Sequence, residues 1–137
     1  TSNRTVESQT LVEIKRFDAG SWFSDAYSGE KIPTLEEALE ALSGNVGMFI
    51  ELKTNYPGSD EIIVSIIEEA NAESKVKVLS FNINLLKDIK DINEDIETML
   101  LLDTFVGDIH NLSKIEYIDA YGFNYQVVET NNQYVKI

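Results

Sequence analysis

The chain alternates between two periods, and that alternation constrains its fold more than any single residue does. Short apolar runs at Met48–Lys53, Val76–Phe81, Thr98–Asp103 and Ala120–Tyr125 read as strands. The segments between the first three carry apolar residues at helical spacing: Ile62, Ile63, Ile66 and Ile67 in one, Leu85, Leu86 and Ile89 in the next. A stretch from Asp108 to Tyr117 allows a short helix before the fourth strand. Strand centres recur roughly every 22–28 residues, the pitch of βαβ units, whose crossovers make neighbouring strands parallel. Four such units are about half of a (β/α)₈ barrel, which takes roughly 250 residues. The expectation is therefore an α/β chain, a partial TIM-type barrel of about four β/α units.

Local signals place the elements. Thr34-Leu35-Glu36-Glu37 is a capping box opening a helix with Leu35, Ala38, Leu39 and Leu42 on one face. Tyr56-Pro57-Gly58 is a turn, and Asn82 is placed to cap the helix after the second strand. Residues 1–33 hold a short amphipathic segment, Thr10 to Phe17, and a loop, and are expected to form an insertion region ahead of the β/α units of 34–137. At the far end Thr130-Asn131-Asn132-Gln133 fits another capping box, and Tyr134, Val135 and Ile137 begin an apolar face. Both termini read as internal, so the natural chain is expected to continue.

Chemistry is expected at Glu51 and Lys53. In a strand these two share a face with Phe49, while Met48, Ile50 and Leu52 share the other. Parallel sheets place their ligands at the carboxyl ends of strands. A carboxylate there can hold a divalent cation, and an ammonium beside it can meet an anionic oxygen. A surface ion pair is the plainer alternative.

The formal charge of −13 argues against nucleic acid and against an anionic membrane surface, since both need a basic face. An acidic chain that handles an anion needs a cation between them. With no cysteine there is no disulfide framework or thiolate metal site, and His110, the single histidine, excludes a two-histidine mechanism within the chain. No stretch resembles a signal peptide or a membrane span of ~20 apolar residues, and the cytoplasm is the favoured compartment.

Several blocks, in order along the chain, resemble the glycerophosphodiester phosphodiesterase family. They are Leu11–Phe17 running into Asp18-Ala19-Gly20-Ser21-Trp22-Phe23, then Ile32-Pro33-Thr34-Leu35-Glu36-Glu37-Ala38-Leu39, then Ile50-Glu51-Leu52-Lys53. Tyr56-Pro57-Gly58 and Ser80-Phe81-Asn82 fall where that family has similar residues. The resemblance implies a TIM-type barrel that hydrolyses glycerophosphodiesters to an alcohol and glycerol 3-phosphate with a divalent cation, Ca²⁺ or Mg²⁺. It implies that Glu51 is a metal ligand and that Lys53 lies beside the phosphate. Trp22 and Phe23 match a loop closing over the barrel mouth.

The family's two catalytic histidines and its Glu-x-Asp metal pair fall upstream of residue 1, and its closing strands fall downstream of Ile137. No catalytic residue is therefore expected in this segment, and the cation site in it is expected to be incomplete. By itself the chain is expected to be inactive and, with raw sheet edges, to self-associate. The alternative is a non-catalytic α/β binding module or a degenerate family member. Asn124, beside Phe123 and Tyr125, is a candidate for a polar group pointing into the barrel. Asp18 is expected to fix its turn through an Asx-type bond.

Overall fold

A computed structural model describes residues 4–42, 44, 46–104 and 109–125. The chain divides into two compact units, Thr1–Ala41 and Leu42–Ile137.

In the first unit, α1 (Leu11–Ile14) starts at a reciprocal capping box within the amphipathic segment Thr10 to Phe17. The Thr10 side chain accepts from the Glu13 amide, and Glu13 accepts from the Thr10 amide. Those bonds, with the Arg4 guanidinium, lower the Glu13 carboxyl to about 2. The expected box at Thr34 opens α2 (Leu35–Ala41), with the Thr34 amide 2.8 Å from the Glu37 carboxylate. Lys15 pairs with that same carboxylate, which ties α1 to α2.

The second unit is a four-stranded parallel sheet in the order β1-β2-β3-β4, formed by Met48–Glu51, Val76–Ser80, Glu97–Leu102 and Ala120–Phe123. Helices α3 (Ser59–Glu69) and α4 (Ile83–Ile92) pack on each other, and α4 lies on β2 and β3. The core is the layer between them: Val64, Ile67, Val78, Leu85, Leu86, Ile89 and Ile96 are all essentially buried. The period-2 alternation decides which strand residues enter it. Val76, Val78 and Ser80 are buried, whereas Lys77 and Leu79 lie on the other face and are partly exposed. Phe49, on that other face of β1, is 72% exposed. Gly122 in β4 allows close approach to β3, for a Cβ there would sit 2.7 Å from the Leu101 side chain.

The expected strands are all present, with their ends corrected. β1 stops at Glu51, so Lys53 lies past the strand; β2 stops at Ser80, before Phe81; β4 stops at Phe123, so Asn124 is outside it. Pairing explains this: the β1 ladder ends where Glu51 meets Leu79, and the β4 ladder where Phe123 meets Leu102. The expected short helix is a 3₁₀ turn, Ile109–Lys114. The capping box at Thr130 lies outside the described residues. Among the described residues no helix is long and apolar enough to cross a membrane.

One part-buried network joins β4 to the rest of the sheet. The Asp119 carboxylate accepts from the Thr98 amide at 2.7 Å and pairs with the Lys90 ammonium of α4 at 2.9 Å. The Thr98 hydroxyl donates to the Tyr117 carbonyl at 2.8 Å. Burial pushes the Asp119 pKa up, but the Thr98 amide and Lys90 outweigh it and hold the group below its ordinary value. A depressed carboxylate stabilises the fold above its unfolded pKa, near 4, and that contribution fades as pH falls through the lower folded value. Asp119→Ala is expected to cost about 1.5–3 kcal/mol, as for other charge-assisted bonds. It is also expected to flatten the acid limb of the stability curve. Urea melts of the full-length variant between pH 7 and pH 3 check both, and an unchanged acid limb would contradict the assignment.

Candidate functional site

The carboxyl ends of β1 and β2 enclose an open cleft of about 500 Å³, lined by Glu51, Leu52, Lys53, Ser80, Phe81, Asn82 and Ile83. A second cleft, of about 490 Å³, lies at the opposite ends of the strands, with Gly47, Lys75, Lys77 and Glu97 among its lining. Parallel sheets bind ligands at carboxyl ends, so the first is the candidate.

Glu51 closes β1, and Lys53 follows one residue beyond it. The Lys53 ammonium lies 3.0 Å from a Glu51 carboxylate oxygen, with side chains 77% and 35% exposed. An ion pair this open contributes little to stability, about 0–1 kcal/mol. Both side chains are free to trade partners: the ammonium for an anionic oxygen, the carboxylate for a cation. Tyr56-Pro57-Gly58 then turns the chain, with the Ser59 amide on the Tyr56 carbonyl, into α3.

Across the cleft, β2 ends in Ser80, 2% exposed, and Phe81, 55% exposed. Asn82 caps α4 as expected: its side-chain oxygen accepts from the amides of Asn84 and Leu85. Ser80 and Phe81 were not singled out as site residues in the sequence. The available signal was the pattern Val76-x-Val78-x-Ser80, a hydroxyl at a register position otherwise apolar and buried. Asn124 is exposed just after β4, its amide on the Leu102 carbonyl at 3.1 Å. His110 sits exposed in the 3₁₀ turn, its carbonyl accepting from the Ser113 hydroxyl.

Within the first unit, Trp22 and Phe23 belong to a loop built around Asp18. That carboxylate accepts from the amides of Gly20, Ser21 and Gly29 and from the Ser21 hydroxyl, all at 2.8–2.9 Å. The Ser21 amide, then that of Gly29, holds the acid far below the usual carboxylate range. The Asx-type turn is thus present, and it also reaches eleven residues along the chain to Gly29. Gly20 passes so near Tyr27 that a Cβ would lie 2.0 Å from the Tyr27 carbonyl oxygen. The loop presents Trp22 and Phe23, 82% and 69% exposed, with their rings edge-on at 5.8 Å and Phe23 edge-on to Tyr27 at 5.6 Å. The indole nitrogen donates to the Ala19 carbonyl.

A divalent cation was expected beside Glu51. Hard cations take six or more oxygen ligands, and one carboxylate offers two at most. Among the described residues no group of three or more His, Cys, Asp or Glu side chains comes together. These residues alone do not make a cation site.

Comparison with known proteins places the chain in a family. The model of the glycerophosphoryl diester phosphodiesterase family matches residues 1–136. A glycerophosphodiester phosphodiesterase of Caldanaerobacter subterraneus is 33% identical over 128 residues, 90% of this chain and 53% of its own length. Among solved structures, a glycerophosphodiester phosphodiesterase from Parabacteroides distasonis aligns with a TM-score of 0.78 at 20% identity, over 96% of this chain and 54% of that one. An Oleispira antarctica phosphodiesterase, solved in complex with the product sn-glycerol 3-phosphate, aligns with a TM-score of 0.75 at 23% identity over 95% of this chain and 54% of that one. The chain thus spans about half the length of the relatives it matches, and its parallel β/α units are those of a partial TIM-type barrel. A family match over nearly every residue, joined to that fold, makes the chain a member of the glycerophosphoryl diester phosphodiesterase family.

Proposed function

We propose that the protein carrying this chain hydrolyses glycerophosphodiesters to an alcohol and sn-glycerol 3-phosphate, and that the cleft between β1 and β2 contributes to its phosphate site. The observation that carries this reading is the Glu51–Lys53 pair, an exposed acid and base at the carboxyl end of a parallel strand in a chain of this family. The Oleispira antarctica relative, bound to sn-glycerol 3-phosphate, supports the substrate class.

Hydrolysis of a phosphodiester develops charge on the non-bridging oxygens and needs a base for the nucleophile and an acid for the leaving alkoxide. Lys53 leaves Glu51 to meet a non-bridging oxygen, placing a full positive charge where negative charge develops. Glu51 is one ligand of a divalent cation, Ca²⁺ or Mg²⁺, whose other ligands come from elsewhere in the protein. In this reading the acid and base also come from elsewhere in the protein; His110 lies in the 3₁₀ turn, outside the residues that line the cleft. Trp22 and Phe23 contact the organic part of the substrate, and Asn124 offers it a polar group.

The test is release of sn-glycerol 3-phosphate from glycerophosphocholine and glycerophosphoethanolamine by the full-length protein. The expected result is turnover that a chelator stops and added Ca²⁺ or Mg²⁺ restores. No release from either substrate under any divalent cation would favour a non-catalytic binding role.

A further inference from the structure

The backbone between Glu51 and Lys53 is held by a side chain from the neighbouring strand. Leu52 lies one residue past the end of β1, yet both of its backbone polar groups are fixed to β2. Its amide donates to the Leu79 carbonyl at 2.8 Å, and its carbonyl accepts from the Ser80 hydroxyl at 2.8 Å. The Ser80 oxygen in turn accepts from the Asn82 amide at 3.1 Å, and Asn82 caps α4. Hydrogen bonds thus run without a break from the exit of β1, through one hydroxyl, to the start of a helix. Ser80 is 2% exposed, so water cannot easily replace that hydroxyl.

We infer that Ser80 is a positioning residue for the reaction, fixing the Leu52–Lys53 peptide so that Glu51 and Lys53 are set at the cleft. Without it, the Leu52 carbonyl and the Asn82 amide both lose their partner, and the peptide that carries Lys53 is free to rotate. Beyond its open pairing with Glu51, the Lys53 ammonium, 77% exposed on a long side chain, depends on this backbone for its place. Displacements of about 1 Å in such groups cost on the order of 100-fold in rate. The inference rests on the proposed role of Lys53 and adds to it the residue that holds Lys53 in place.

The experiment compares Ser80→Ala, Ser80→Thr, Ser80→Val and Lys53→Ala in the full-length protein. It measures kcat, KM, Tm and the affinity for sn-glycerol 3-phosphate by calorimetry, well below Tm. Ser80→Ala is expected to lower kcat/KM by about 10–100-fold and to weaken sn-glycerol 3-phosphate binding. Thr and Val strain the buried site equally and differ in the hydroxyl, so Ser80→Thr is expected to be at least about tenfold more active than Ser80→Val. If Ser80→Ala does not fold, that pair alone decides. A purely structural Ser80 would lower Tm while leaving kcat/KM, product affinity and the Thr/Val ratio near unity, and that result overturns the inference. If Lys53→Ala is itself without effect, the proposed site fails and the role of Ser80 falls with it. An impaired Lys53→Ala beside an unimpaired Ser80→Ala overturns the positioning role alone.

Discussion

Lys53→Ala in the full-length protein is expected to lower kcat by about 10²–10³ with little change in KM, the scale of losing one preorganised electrostatic stabiliser. The reason is that the ammonium gains more from the transferring phosphoryl group than from the ground-state diester, so its loss falls on the chemical step. Steady-state kinetics on glycerophosphocholine separate the outcomes. A rise in KM at constant kcat would mean that Lys53 only holds substrate. The surface ion-pair reading makes a third forecast: stability shifts by less than about 1 kcal/mol and the kinetics stay put. Its exposure favours no reading by itself, but its place at the carboxyl end of β1 does.

Much of this was legible in the sequence because it is encoded locally. The box at Thr34, the cap at Asn82 and the turn at Tyr56-Pro57-Gly58 each depend on residues within four positions of one another, and each is in place. The strand order follows from the β/α pitch, because βαβ crossovers leave few other arrangements. Strand ends were less legible. Lys53, Phe81 and Asn124 each continue an apolar run, but a ladder stops where its partner stops, and the partner lies 20–30 residues away.

The Ser80 clamp was illegible for the same reason. Its contact with Leu52 spans 28 residues and exists only in one register, in which Glu51 meets Leu79. A slip of one residue would turn Ser80 to the other face. In the Asp18 loop, the turn through Gly20 and Ser21 could be read, while the bond to Gly29 could not. The pairing of Glu51 with Lys53 could be read from spacing alone, and the cleft around it could not.

Glu51 carries the central claim, because a carboxylate that only pairs with Lys53 and one that also binds a cation behave differently when neutralised. Glu51→Gln keeps the shape of the side chain and removes its charge. The decisive measurement is the divalent-cation dependence of turnover for the full-length wild type and Glu51→Gln, with cation affinity measured directly by calorimetry. A lost carboxylate ligand is expected to weaken Ca²⁺ or Mg²⁺ binding and to slow turnover together, while Lys53→Ala leaves cation affinity nearly unchanged. Wild-type cation affinity and wild-type turnover in Glu51→Gln would contradict the site assignment.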